Sequence, residues 1–203
     1  ESETINFPIE FKLEGDIVDI SANFNKKGIS GYFENTGIMI NGEVTTIKTR
    51  PNHEGNFIVL KDVLQNGEVT EEFYIDKKDL DKWNYLKGSK KEMRKNAQGF
   101  EYHYSEGGMI FPDLIDKPSR TIITGEGGPS PSRFKHVIQA NGRLRRLSPV
   151  ELERLNMFPD EHTKMDGITD TKRAFFMGNA LVVGVIERIG LELNRKIKKT
   201  STK

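Results

Sequence analysis

The sequence predicts an α+β fold. An irregular, mostly-β part spans residues 8–147, a capped helix and a long C-terminal helix follow over 148–196, and a flexible basic tail closes the chain at 197–203. Three observations predict it. Asn41-Gly42 sits between Ile38-Met39-Ile40 and Val44-Thr45-Thr46-Ile47, and Asn-Gly flanked by strand-forming residues is the strongest short-range signal for a tight hairpin. Ser148-Pro149-Val150-Glu151 is a Ser-x-x-Glu capping box, with proline where a first helical turn tolerates it. Residues 172–190, KRAFFMGNALVVGVIERIG, hold two strongly apolar runs split by Gly178-Asn179.

In chain order, Phe57 to Leu60 follows the hairpin as a strand running into a short turn or helix. Phe73-Tyr74-Ile75 is strand-like, and a short helix begins after Asp76, with Leu80, Trp83 and Leu86 on roughly one face. The run KGSKKEMRKNAQG brings Lys87, Lys90, Lys91, Arg94 and Lys95 into a charged loop, either solvated or in contact with phosphate. FEYHYSEGG interleaves aromatics with His103, Ser105 and Glu106, which a strand ending in a Gly-Gly turn explains as well as a binding surface does. Thr121 to Thr124 is a strand entering a glycine-rich loop, which lacks the Gly-Lys-Ser/Thr ending of a phosphate-cradling P-loop. Strands shared with the first part are expected across 117–147. The capped helix offers Val150, Leu152 and Leu155 to a core, and Pro159 stops it beyond Phe158. From Asp170 the pattern is helix, break at Gly178, and helix to about Lys196. A glycine there either breaks a buried helix or lets backbone approach something closely; periodicity does not separate the two.

With 203 residues, the chain is long enough for one large or two small domains. Lys and Arg total 31 against 30 Asp and Glu, a net charge of +1, so any nucleic-acid surface has to be a local patch. There is no cysteine, which removes disulfides, thiolate zinc sites and a cysteine nucleophile and fits a cytoplasmic protein. His53, His103, His136 and His162 are scattered without ligand spacing, so no metal is expected. No unbroken apolar run reaches the ~18 residues of a membrane span, and the first residues, ESETINFPIEF, lack a signal pattern. The chain opens on Glu1 rather than methionine, in keeping with a cut fragment.

Three segments in order, KPSRTIITGEGG, RRLSPVELERLNMFPD and TDTKRAFFMGNALVVGVIERIG, resemble the C-terminal part of the DNA cytosine-5 methyltransferases. Pro118, Thr121 and Ile122 match that family's ninth motif, Pro-x-x-Thr-[Ile/Leu] followed by glycines. Arg145, Leu147, Pro149 and Glu151 match its capped helix, which ends in Phe158-Pro159-Asp160. Gly178-Asn179-Ala180-Leu181 matches the tenth motif, which opens the last helix. The resemblance covers residues 117–195. INFPIEF is also similar to the stretch after the eighth motif, so residues 8–116 fall in the variable target-recognition region.

The resemblance implies a target-recognition and cofactor-closing portion of a restriction-modification type enzyme, which methylates C5 of a flipped cytosine in duplex DNA. It also implies what is missing. The family's Pro-Cys nucleophile, its Glu-Asn-Val motif and its Phe-x-Gly-x-Gly loop for S-adenosylmethionine have no counterpart; Glu34-Asn35-Thr36 lies downstream of where Glu-Asn-Val belongs and is an accidental echo. No catalytic residue is therefore expected in this chain, which would be a C-terminal fragment or the smaller chain of a split enzyme. Its last helix would pack on a Rossmann-like catalytic domain or large subunit carrying the nucleophile.

Carried over residue by residue, Asn179, Ala180 and Leu181 would neighbour S-adenosylmethionine in the complete enzyme. Thr121 would contact the phosphate beside the flipped cytosine. Arg120, Thr124, Arg133, Lys135, Lys90, Lys91 and Arg94 are further DNA-binding candidates, with a structural salt bridge an equal alternative for Arg120. Arg50, Asn52, His53, Lys90 and Arg94 are candidates for base reading by their chemistry alone. A non-catalytic DNA-binding or partner-binding module is the competing class, and a neighbouring segment carrying Pro-Cys and Phe-x-Gly-x-Gly discriminates the two.

Overall fold

Asn41 and Gly42 take φ of 51° and 82°, the left-handed pair that a two-residue hairpin turn requires. The turn joins β2 (Thr36–Ile40) to β3 (Glu43–Ile47), with Ile40 opposite Glu43. β1 (Ile9–Lys12) pairs antiparallel with the other edge of β3, giving the order β1-β3-β2. Central β3 buries Val44 and Thr46. Thr46 Oγ1 donates to the Thr36 carbonyl at 2.8 Å and accepts from the Glu34 N–H at 2.9 Å, which ties the hairpin to the segment before it. α1 (Ile17–Asn23) is capped by Asp16, whose Oδ1 accepts from the Val18 and Asp19 N–H groups at 2.9 Å each.

These elements belong to the first of two compact units, residues 1–56; the second comprises 57–203. In this computed structural model the described residues are 7–23, 33–50, 55–67 and 69–200; Asn52 and His53 lie outside them.

The second unit contains α2 (Leu60–Val63), α3 (Leu80–Lys87), β4 (Lys90–Lys95), β5 (Glu101–Glu106), β6 (Val137–Ala140), β7 (Arg143–Arg146), α4 (Pro149–Leu155), α5 (Asp170–Asn179) and α6 (Val183–Thr200). β4-β5 and β6-β7 are two-stranded antiparallel ribbons. Every strand pair among the described residues is antiparallel, so the architecture is mixed α and β without a doubly wound sheet. The β6-β7 turn is Asn141-Gly142, at φ 51° and 74°, a second copy of the hairpin signal that the sequence also carries in plain view.

The core joins α2, β6, α4 and α5 through Leu60, Val63, Ile138, Leu147, Leu152, Ala174 and Met177. Residue 148 consequently lies inside the second unit, and the fold divides near residue 57 instead: α4 buries Leu152 against elements on both sides of it. The capping box forms as expected, Ser148 Oγ accepting from the Glu151 N–H at 3.3 Å and Glu151 Oε2 from the Ser148 N–H at 2.9 Å. Glu151 does more than cap. It is wholly buried, receives both Arg145 guanidinium nitrogens at 2.7 Å, and accepts the Gln65 N–H at 3.0 Å. Beside this core Trp83 stacks on Phe111 at 6.4 Å, and the buried Lys87 Nζ donates to the Lys135 carbonyl.

Several local expectations are corrected. Residues 57–59 form no strand, and Leu60 already starts α2. Glu71–Phe73 is a 3-10 turn, with Tyr74 making one isolated bridge to Arg145. The charged run is not a loop: Lys90–Lys95 is strand β4, because alternation lets one face pair inward while the other carries charge to solvent. Residues 121–124 form no strand, and within 117–147 only β6 and β7 do. α4 ends at Leu155 rather than Phe158, since Met157 turns left-handed at φ 62°. α5 runs through Gly178 to Asn179, and α6 continues to Thr200, so helix reaches into the expected tail. Residues 170–199 reach a mean hydropathy of 1.5 in their most apolar window. They form two helices parted by a non-helical step at 180–182.

Removing one partner of a buried ion pair costs about 3–5 kcal/mol. Glu151→Gln is therefore expected to lower the unfolding free energy from urea titration by an amount in that range, and an unchanged urea midpoint contradicts the role given to Arg145–Glu151. Burial holds the Lys87 ammonium down to about 8, with Asp113 opposing and Arg120 adding to the effect. An unfolded lysine titrates near ~10.4, so the unfolded chain binds the extra proton between the two values and stability rises with pH across that window. Lys87→Met should flatten the rise in urea midpoint measured from about pH 8 to pH 10.

Candidate functional site

Two glycines decide how residues 119–128 lie on α5. A Cβ on Gly178 would fall 2.4 Å from both the N and Cα of Thr124 and 2.6 Å from the Ile123 carbonyl carbon. A Cβ on Gly127 would fall 2.7 Å from Thr171 Cα and 2.8 Å from Ala174 Cβ. The segment thus crosses the helix backbone to backbone at both ends, an approach that only glycine permits. Gly178 is not the break in the helix; what it admits is the chain's own Ile123-Thr124.

The break falls at residues 180–182, and Asn156 holds it. Its side-chain Nδ2 donates to the Met177 carbonyl at 2.8 Å, and its carbonyl accepts the Val183 N–H at 2.9 Å. The buried end of α4 thereby fastens the end of α5 and the start of α6 together. A second clamp lies on the other side of α4. Glu153 accepts from Arg173 Nη2 at 3.0 Å and from the Thr163 N–H at 3.0 Å, linking α4, α5 and the loop between them.

A cleft of about 420 Å³ opens where these parts meet, lined by Thr121, Ile122, Asn156, Gly178 and Ala180 among others. Thr121 and Ala180, distant in the chain, are therefore brought to one place. Thr124 lies against Gly178 and is exposed. Asn179 is exposed, its Nδ2 donating to the Phe175 carbonyl at 2.9 Å. Leu181 is exposed and faces a second, open depression of about 540 Å³ shared with Phe158, Ala180, Val183 and Ile186.

Most of the cations singled out in the sequence are engaged inside the fold. Arg120 grips Asp113 with Nε to Oδ1 at 2.7 Å and Nη2 to Oδ2 at 3.1 Å, and it also donates to the Phe134 and Lys135 carbonyls. Burial pushes the Asp113 carboxyl up, but the Arg120 hydrogen bond and the Val137 N–H outweigh it, so its pKa is lowered overall. Lys135 is buried, donates to the Gly128 and Ser130 carbonyls at 2.6 and 2.8 Å, and is held below the usual lysine range by that burial and by Arg146. Arg133 pairs with Glu106 at 2.9 Å and donates to the Leu86 and Gly88 carbonyls. Lys90, also buried, meets the same Glu106 at 2.8 Å. Arg94 bonds Glu92 and lies 3.5 Å over the Tyr104 ring. Lys91 is exposed on the opposite face of β4, as Met93 is, and their cross-strand partners are Ser105 and His103. Arg50 is exposed on the first unit.

Asn156 and Gly127 are site residues that sequence patterns did not single out. Gly127 stood in view as part of a glycine-rich loop, but nothing local says that it packs on a helix more than forty residues later. Asn156 carries no local signal; its role exists only once α4 and α5 are side by side.

The family described as C-5 cytosine-specific DNA methylase matches residues 7–195, and the chain belongs to it. It is similar to the Type II methyltransferase M.Sau3AI of Staphylococcus aureus, 43% identical over 180 residues, which are 89% of this chain and 41% of that protein. The chain thus spans about two fifths of the length of the curated relative it matches. Solved structures that align with it include the S. pombe Dnmt2 methyltransferase, at TM-score 0.49 and 14% identity over 76% of this chain and 52% of that one. The Entamoeba histolytica methyltransferase EhMeth aligns at TM-score 0.46 and 14% identity, over 95% of this chain and 54% of that one.

Gly178→Ala should cost about 1–3 kcal/mol by overpacking, lower the thermal midpoint, and speed amide exchange at Ile123 and Thr124. Gly184→Ala is the control: its Cβ would meet only the Met157 Sδ and Cε at 2.5 and 2.6 Å, the far end of a flexible side chain. Equal losses for the two substitutions would contradict the clamp.

Proposed function

We propose that this chain is the DNA-recognition and cofactor-pocket-closing portion of a cytoplasmic, restriction-modification type DNA (cytosine-5-)-methyltransferase. It acts with a Rossmann-like catalytic domain or large subunit that carries the Pro-Cys nucleophile, and it is inactive alone. The observation that carries this is the single cleft lined by both Thr121 and Ala180. Family membership supports the reaction class, and the lack of any cysteine supports the division of labour.

Methylation of a stacked cytosine requires its extrusion from the duplex. Thr121, exposed at the cleft, offers a hydroxyl to a phosphate oxygen beside the extruded base. S-adenosylmethionine supplies the methyl group when bound. Asn179, Ala180 and Leu181 close one side of its pocket, and the apolar depression around Ala180 and Leu181 suits a wall of such a pocket, although it encloses nothing by itself. The exposed apolar side chains of α6, among them Val185, Ile186 and Ile189, suit burial against the catalytic domain.

For duplex recognition the β4-β5 ribbon is the better candidate than the buried cations. A two-stranded ribbon fits the major groove, and its exposed face presents Lys91, Met93, His103 and Ser105. Thr124 and Lys91 remain candidate phosphate contacts. Arg120, Arg133, Lys135, Lys90 and Arg94 act chiefly by shaping that surface, since their donors are committed to carboxylates and carbonyls.

In the complete enzyme, Thr121→Val should weaken DNA binding about two- to tenfold, the worth of one hydrogen bond, and slow turnover with it. Titration calorimetry of this chain alone should show no S-adenosylmethionine binding, and adding the partner that carries the missing motifs should restore cofactor binding and methyl transfer together. Micromolar cofactor binding by the isolated chain would overturn the proposal.

A further inference from the structure

Beneath Arg120 and Thr121 runs a hydrogen-bond chain that the core, the caps and the clamps leave unexplained. Glu126 and His136 are buried, at 2% and 0% exposure. Glu126 Oε2 accepts from the His136 backbone N–H at 2.9 Å and Oε1 from the Ile123 N–H at 3.4 Å, so its carboxylate is used as an acceptor. The same Oε1 lies 2.9 Å from His136 Nδ1, and His136 Nε2 lies 3.0 Å from Ser119 Oγ. Ser119 Oγ in turn donates to the Arg120 carbonyl at 2.9 Å.

Carboxylate, imidazole and hydroxyl in that order are the parts of an acyl-transfer triad. The ring has no exposed edge, which speaks against that use. The far end of the chain points elsewhere. The Ser119 hydroxyl stands between the ring and the Arg120 carbonyl, 3.0 Å from His136 Nε2 and 2.9 Å from the carbonyl oxygen, so without it that carbonyl loses its donor. That carbonyl belongs to the peptide joining Arg120 to Thr121.

We propose that His136, acting through Ser119, is a positioning residue that latches the Arg120–Thr121 peptide and so sets where the Thr121 hydroxyl is offered to DNA; the proposal rests on Thr121 being a phosphate contact. The Arg120 side chain is anchored separately by Asp113 and two carbonyls, so rotation of this peptide is the freedom that the latch removes. Of the charged groups nearby, Asp113 interacts with the ring, and Lys87, Lys135 and Arg146 interact with the Glu126 carboxylate. Both ring nitrogens are already taken by Glu126 and Ser119.

The test uses the complete enzyme, unmethylated plasmid DNA and a labelled methyl donor, with KM for DNA and kcat measured for each variant. Ser119→Ala should raise the KM for DNA about two- to tenfold, with kcat moving less, and Ser119→Thr, which keeps the hydroxyl, should restore the wild-type KM. A Ser119→Ala enzyme with wild-type KM for DNA, or a Ser119→Thr enzyme that fails to restore it, overturns the latch; if Thr121→Val still weakens DNA binding, the phosphate contact stands without it. Should Thr121→Val leave the KM for DNA unchanged, the contact on which the latch rests fails, and the latch fails with it.

Discussion

Backbone packed on backbone at Gly178 is the constraint from which the second unit takes its form. Ile123-Thr124 lies so close to α5 that a methyl group at position 178 would overlap main-chain atoms, and Gly127 admits a second contact one helix turn and more away. At Gly178 the crossing has no side chain in it to yield, so residues 123–124 and α5 hold a defined relation. Everything that lines the cleft inherits that relation: Thr121 lies two residues before the crossing, and Ala180 two residues after Gly178. Asn156 completes it by fixing where α5 stops and α6 starts.

A protein with near-equal numbers of acidic and basic residues has two uses for its cations, and here structure takes most of those near the cleft. Arg145–Glu151 and Arg173–Glu153 lie inside, as part of the packing between α4 and its neighbours. Arg120–Asp113 and Lys90–Glu106–Arg133 brace irregular segments and the base of the β4-β5 ribbon. Such pairs stabilise less than their Coulomb attraction suggests, because desolvation opposes it. Their value lies in geometry: bidentate arginine fixes loops whose backbone makes few regular hydrogen bonds. What remains for a polyanion is a smaller set of exposed groups on a shaped surface, Thr121 and Lys91 among them.

The features that proved legible in the sequence are those governed by residues close together in the chain. Asn41-Gly42 had to turn as it does because both residues tolerate positive φ, and Ser148 with Glu151 had to cap α4 because each satisfies the other's free N–H. The ordered motifs that identify the family are likewise local strings. The charged run at 90–95 misled because the same residues suit a solvated loop or a ribbon edge, and only the partner strand at 101–106 decides between them.

The sequence by itself determined the hairpin, the capped helix, the apolar C-terminal helices, the family and the absence of a cysteine nucleophile, since each rests on residue identity or on spacing within a few positions. Tertiary structure alone decided the rest. It gave Gly178 the role of admitting a chain crossing rather than ending a helix, made the capping Glu151 also the counter-ion of Arg145, and withdrew Arg120, Arg133, Lys90 and Lys135 from the free surface. It also set Ser119, His136 and Glu126 in one line. The reason is physical: what a charge or a glycine does depends on the group that lies against it, and here most of those groups come from ten to ninety residues away in the chain.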